Sequence, residues 1–140
     1  MPELSSQAVL SDSEGTPRVL IERVSAEVLS GPAFPARVSV QGPNYSASAN
    51  VPLSSLEVAQ AGLASLLHKP SGVATLTIFG HRHYTIGGPL LVCSFVGDGK
   101  GHYTVGIAFA EARLRVKDEF LTDQTCLGLF ALALEDLARV

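Results

Sequence analysis

Residues 99–140 read GKGHYTVGIAFAEARLRVKDEFLTDQTCLGLFALALEDLARV, and the fold is decided largely by how this stretch is parsed. A glycine-bounded turn opens it, two alternating segments follow, and an apolar helix closes it. In the first segment Tyr103, Val105, Ile107 and Phe109 share one parity, with His102, Thr104, Gly106 and Ala108 on the other. A two-residue period of this kind marks a half-buried strand. In the second segment Leu114, Val116 and Phe120 fall on one face, and Arg113, Arg115, Lys117 and Glu119 on the wet one. Asp118 lands among the apolar positions, so a bulge should turn it outward or the sheet should end there. Thr122 is expected to cap the helix that follows, with Asp123 close to its positive end.

At 3.6 residues per turn, Leu127, Phe130, Leu134 and Leu137 form one stripe, joined by Cys126 and Ala133, and this stripe should lie on the sheet. Leu129 and Leu132 sit roughly opposite, beside Glu135 and Asp136. Each leucine would gain roughly 1.5–3 kcal/mol from full burial. Another part of the chain, a partner protein or a twin subunit would supply the cover, or the two are simply isolated exposed leucines.

Composition narrows the function classes. The chain has 140 residues, 46% hydrophobic and 16% charged, as a compact domain with a generous core requires. A net charge of −3 offers no basic footprint for nucleic acid. No apolar run reaches the roughly 18 residues that a membrane helix needs, and residues 1–17 lack the basic start and apolar centre of a signal peptide. Those residues are rich in Ser, Glu and Pro and read as a flexible N-terminal leader, with residues 18–140 as a single α+β domain. Cys93 and Cys126 lie on apolar segments and read as buried, reduced thiols of a cytoplasmic protein.

Working outward toward the N-terminus, strands are expected over 19–29, 34–41 and 45–51. The first changes phase at Glu22–Arg23, and Pro35 implies an edge position for the second. Ser54 and Glu57 match a capping box that opens a helix over 54–68, ended by Pro70. Further strands follow over 73–79 and 81–86, and Leu90 to Val96 is apolar enough for burial on both faces. Gly97 to Gly101 is a hairpin, since no helix follows it to hold a phosphate. No sequence repeat divides the chain. The expected architecture is α+β, a curled and mainly antiparallel sheet of about seven or eight strands with two packed helices near 54–68 and 123–138.

Catalytic groups are hard to assemble from this chain. His81 and His83 share a strand face and would need His102 nearby to hold a metal; a solvated role is the simpler reading. His68 suits a helix C-terminus. Both cysteines sit among Leu, Val and Phe, where burial suppresses the thiolate. No nucleophile elbow, P-loop or H-E-x-x-H is present. Arg113, Arg115 and Lys117 form a short basic row best read as a solvated sheet face. The sequence therefore points to no enzyme, no metal and no cofactor.

Several segments, in order, carry a resemblance. They are GPNYSAS at 42–48, Pro52-Leu53-Ser54 at a helix entry, Ser71-Gly72 before a strand, GHYTV at 101–105, and FLTDQTCL at 120–127. Across residues 20–138 this order resembles the immunity proteins of the WapI family, encoded beside bacterial polymorphic toxins. The resemblance implies inhibition by stoichiometric binding to a cognate toxin or effector. Independently of it, the spare apolar surface of the last helix makes Leu129, Leu132, Glu135 and Asp136 the expected part of a contact face. Two competing expectations stand beside it. One is a structural or assembly module acting as a homodimer, and the other is a small-ligand binder using the concave face of a curled sheet.

Overall fold

The computed structural model describes residues 7–24, 33–54, 63–68, 71–78, 89–111 and 114–138. In chain order these form β1 (Gln7–Ser11), β2 (Pro17–Arg23), β3 (Ala33–Gly42), β4 (Tyr45–Ser54), α1 (Leu63–His68), β5 (Val73–Ile78), β6 (Leu91–Gly97), β7 (His102–Glu111), β8 (Leu114–Asp123) and α2 (Gln124–Ala138). The class is α+β with antiparallel pairing throughout, but the single curled sheet is corrected to two four-stranded sheets, β1-β2-β3-β4 and β5-β6-β7-β8. The chain runs through α1 between β4 and β5 and does not pair them.

The two sheets share a plan that the residue pattern does not reveal. Strand lengths run 5, 7, 10 and 10 residues in the first and 6, 7, 10 and 10 in the second. Each sheet is a simple meander followed by a helix. Each helix then packs across to the other half: α1 on β5, and α2 mainly on β1, with the helices touching each other. No sequence repeat was expected, and the repeat that exists is one of elements.

Alternation builds the core. Ala8 and Leu10 of β1 face inward and lie opposite Ile21 and Val19 of β2, and those in turn oppose Val38 and Val40 of β3. In the second sheet Leu91, Cys93 and Phe95 face Phe109, Ile107 and Val105 across the ladder. With Leu127, Phe130, Leu134 and Leu137 of α2 and Leu63 and Leu66 of α1, they make one continuous cluster. Four buried α2 side chains at roughly 1.5–3 kcal/mol each outweigh any contribution from helix propensity.

Several local expectations are revised. The leader expected over 1–17 gives way at Gln7, because Ala8 and Leu10, both fully buried, stitch β1 onto β2; residues 1–6 lie outside the described residues. Irregularity in the first hairpin falls at Leu10–Ser11, and β2 ends at Arg23 with no phase change at Glu22–Arg23; residues 25–29 of the expected strand lie outside the described residues. Pro35 sits in β3, an interior strand, just where pairing with β2 stops at Arg23–Ala36. β6 is fully buried on one face only, since Ser94 and Val96 on the other are exposed and Val92 is half-buried. Ser54 ends β4, while Glu57 and the rest of the expected capping box, the strand at 81–86 and both His81 and His83 lie outside the described residues.

Candidate functional site

The closing helix is held at both ends and along one side. At its start the Cys126 N–H donates to Asp123 Oδ1 at 2.8 Å, so Asp123, not Thr122, is the cap. That bond, ahead of all other causes, holds the Asp123 carboxyl below its ordinary range. Thr122 is instead fully buried and its hydroxyl donates to the Ser11 carbonyl at 2.7 Å, tying β8 to β1. The Gln124 N–H reaches the Gly101 carbonyl at 2.9 Å, and Gly101 adopts φ 93°, a left-handed conformation that glycine tolerates. At the far end the Arg23 guanidinium donates to the Leu137 carbonyl at 3.1 Å while stacking over the Phe34 ring.

This fixing sets which face of the helix meets water. Leu127, Phe130, Leu134 and Leu137 are buried as the 3.6-residue period predicts. Leu129 and Leu132, one turn apart on the other side, are each 63% exposed. Glu135 is exposed beside them and Asp136 half-buried. The sequence-based site residues therefore share one side of one helix, and both of its leucines face solvent. Cys126 is half-buried, contrary to the full burial expected of it, with its thiol 3.6 Å from the Asp12 carbonyl. Burial pushes the Cys93 thiol up to about 12 and Cys126 upward too, with Asp123 adding to the latter.

A second constellation was not foreseen from sequence. Asp118 keeps its place in an unbroken ladder, opposite Ile107, so neither the expected bulge nor the end of the sheet occurs there. Its side chain is half-buried and joins the Arg18 guanidinium in an ion pair. The Tyr45 hydroxyl donates to the same carboxylate oxygen at 2.7 Å. Arg18 also donates to the Gln41 carbonyl at 2.9 Å, approaches Asp12 at 3.5 Å, and lies 4.6 Å over the Phe120 ring. The hydrogen bond from Tyr45 comes first among the causes that hold the Asp118 carboxyl low; the Glu119 N–H and the Arg18 charge add to it. Arg18 from β2, Tyr45 from β4 and Asp118 from β8 thus clamp one sheet to the other. The signal for this clamp was Asp118 itself, an acid on an apolar parity that demands a cation.

No family model, curated protein or solved structure matches the chain. Function must be read from the side chains alone.

The remaining candidates are dispersed. His102 is exposed, its Nδ1 3.5 Å from Asp98 Oδ2, in the hairpin that Asp98 closes by accepting from the Lys100 and His102 N–H groups. Whether His81 and His83 approach His102 lies outside the described residues. Arg115 and Lys117 point to solvent from the outer face of β8, and Arg113 lies outside the described residues. A groove of about 310 Å³ crosses the outer face of the first sheet over Val9, Leu20, Ser39 and Ser48, on the face away from the core.

Proposed function

We propose that the chain is a non-catalytic, cytoplasmic binding protein that neutralises a cognate bacterial effector by covering it stoichiometrically. The observation that carries this reading is the pair Leu129 and Leu132, each 63% exposed on a helix whose opposite stripe is sealed into the core. Two exposed leucines one turn apart, with Glu135 beside them, form the kind of apolar centre with a charged border that protein interfaces use. The likeness of the ordered segments to WapI-family immunity proteins supplies the class of partner. An effector surface that fits would present an apolar groove with basic groups at its border.

Replacing both leucines by serine tests this. The double variant should keep its circular dichroism spectrum and melt within a few degrees of the parent, because neither side chain is in the core. Its affinity for the effector domain encoded beside the gene should fall roughly 10- to 100-fold. Equal affinity of parent and variant, measured by calorimetry, would discard this face as the contact; no binding by the parent would discard the reading itself.

A further inference from the structure

The two sheets match residue by residue once their long hairpins are laid together. In each, one ten-residue strand turns into another, and two residues separate the last ladder pair, Gly42–Tyr45 or Glu111–Leu114. Setting Gly42 on Glu111 puts Phe34, Ala36, Val38 and Val40 of β3 on Tyr103, Val105, Ile107 and Phe109 of β7. The ladders carry the match outward without adjustment. Val40 and Phe109 pair with Val19 and Leu91, which pair in turn with Leu10 and Ile78. Val38 and Ile107 lead in the same way through Ile21 and Cys93 to Ala8 and Leu76. On the other side Ala36 and Val105 oppose Val51 and Phe120, while Phe34 and Tyr103 oppose Leu53 and Thr122. Every one of these positions is buried. Alternation alone would survive a slip of two residues; the shared hairpin removes that freedom.

The correspondence is also an exchange. It carries β1 to β5 and α1 to α2, so the packing of α1 on β5 has its image in α2 on β1 only if β5 is carried back to β1. An operation that sends each half onto the other is a two-fold rotation, and the contact between the two helices lies on its axis. Two local features fit this relation. The Tyr103 hydroxyl is buried with no hydrogen-bond partner among the described residues. Its twin position holds Phe34, so the ring belongs to the site and the hydroxyl is an addition to it. The clamp breaks the symmetry, since Arg18, Tyr45 and Asp118 correspond to Leu90, Leu114 and Ala49. Positions that form an ionic crossing in one place are apolar in the other.

We propose that the chain is a two-fold homodimer closed within one polypeptide, two copies of a four-strand-and-helix unit in which each offers its first strand to the helix of the other. The surface that joins the halves is thus built for a second copy of the unit. The order in which the halves are connected is then immaterial to the fold. Leu129 and Leu132 play no part in this relation, so it stands or falls separately from effector binding.

Circular permutation tests this. Each helix buries leucines three apart near its end, Leu63 and Leu66 in α1, Leu134 and Leu137 in α2. With these matched, Leu67 and Thr75 are the twins of Ala138 and Gln7, and the seven residues 68–74 join the first pair. A copy of that segment should therefore bridge Ala138 to Gln7. The permuted chain starts at Ser71, runs to Ala138, crosses the copied segment and ends with residues 7–70. It should be a monomer with the parent's circular dichroism spectrum and melt within a few degrees of it. Failure to fold with this bridge, or folding only when the bridge is doubled in length, overturns the proposal. In the unpermuted chain, Tyr103→Phe copies the twin position and should melt no lower than the parent. A clear loss would show that the two positions are not equivalent and would overturn it as well.

Discussion

Asp118 shows how far one residue can organise its surroundings. Its carboxylate accepts from Tyr45 and pairs with Arg18, whose side chain is only 10% exposed while that of Asp118 is 27% exposed. Removing the acid leaves a nearly buried guanidinium whose one ionic partner among the described residues is Asp12, at 3.5 Å. Because Asp118 is partly wet, Asp118→Asn should cost about 1–2 kcal/mol at neutral pH, or roughly 3–8 °C in melting temperature. The folded carboxyl titrates below its unfolded value of about 3.9. Its contribution is therefore complete above roughly pH 5 and drains away as pH falls through the depressed folded value. Melting curves of parent and variant should converge in acid. A gap that stays constant from neutral pH down to about 3 would show that the charge is not what the clamp uses. The alternating pattern exposed Asp118 as an anomaly, but not Arg18 or Tyr45, because their approach to Asp118 spans 100 and 73 residues of chain.

At the scale of elements, hydrophobic period was a reliable guide wherever a single face was buried. β7, the inner face of β8 and the buried stripe of α2 follow directly from it. β6 was misjudged because Val92 and Val96 fill outward positions that would ordinarily be polar, so an exposed face read as a second buried one. β1 was missed because two inward side chains, Ala8 and Leu10, are too few to stand out from a serine-rich background. The capping assignment slipped by one residue, since Thr122 and Asp123 both suit the role and only the tertiary bond to Ser11 separates them. α2 also carries an unused opportunity. A Cβ built at Gly128 meets nothing within 4 Å, and no left-handed φ requires glycine there. Gly128→Ala should raise stability by about 0.5–1 kcal/mol through reduced backbone entropy of the unfolded chain. Chemical denaturation with an unchanged slope is the check; a loss of stability would mean that the helix surface at Gly128 is more crowded than it looks.

For the molecule as a whole, the division into two sheets was invisible because nothing in the residue pattern distinguishes a crossover through α1 from one more sheet connection. The halves are joined by the exchange of helices, the Arg18–Asp118 clamp and the bonds between β8 and the β1 end, Thr122 to Ser11 and Ser13 to Leu121. Neither half then has a complete core alone, since α2 closes over β1 and α1 over β5. Calorimetry should show one cooperative transition with matching calorimetric and van't Hoff enthalpies, and residues 1–70 expressed separately should lack dispersed amide resonances. Two resolved transitions, or a folded N-terminal fragment, would contradict this interdependence.

The seating of α2 on β1 also has a consequence in time. Translation delivers Ala8 and Leu10 first among the described elements and the helix that shelters them last. Until every intervening strand has been made, those two side chains have only provisional company, and local hairpins must form and wait. Such long-range closure slows folding and prolongs the exposure of sticky surfaces. A nascent chain of this kind should depend on a holding chaperone more than its modest length implies.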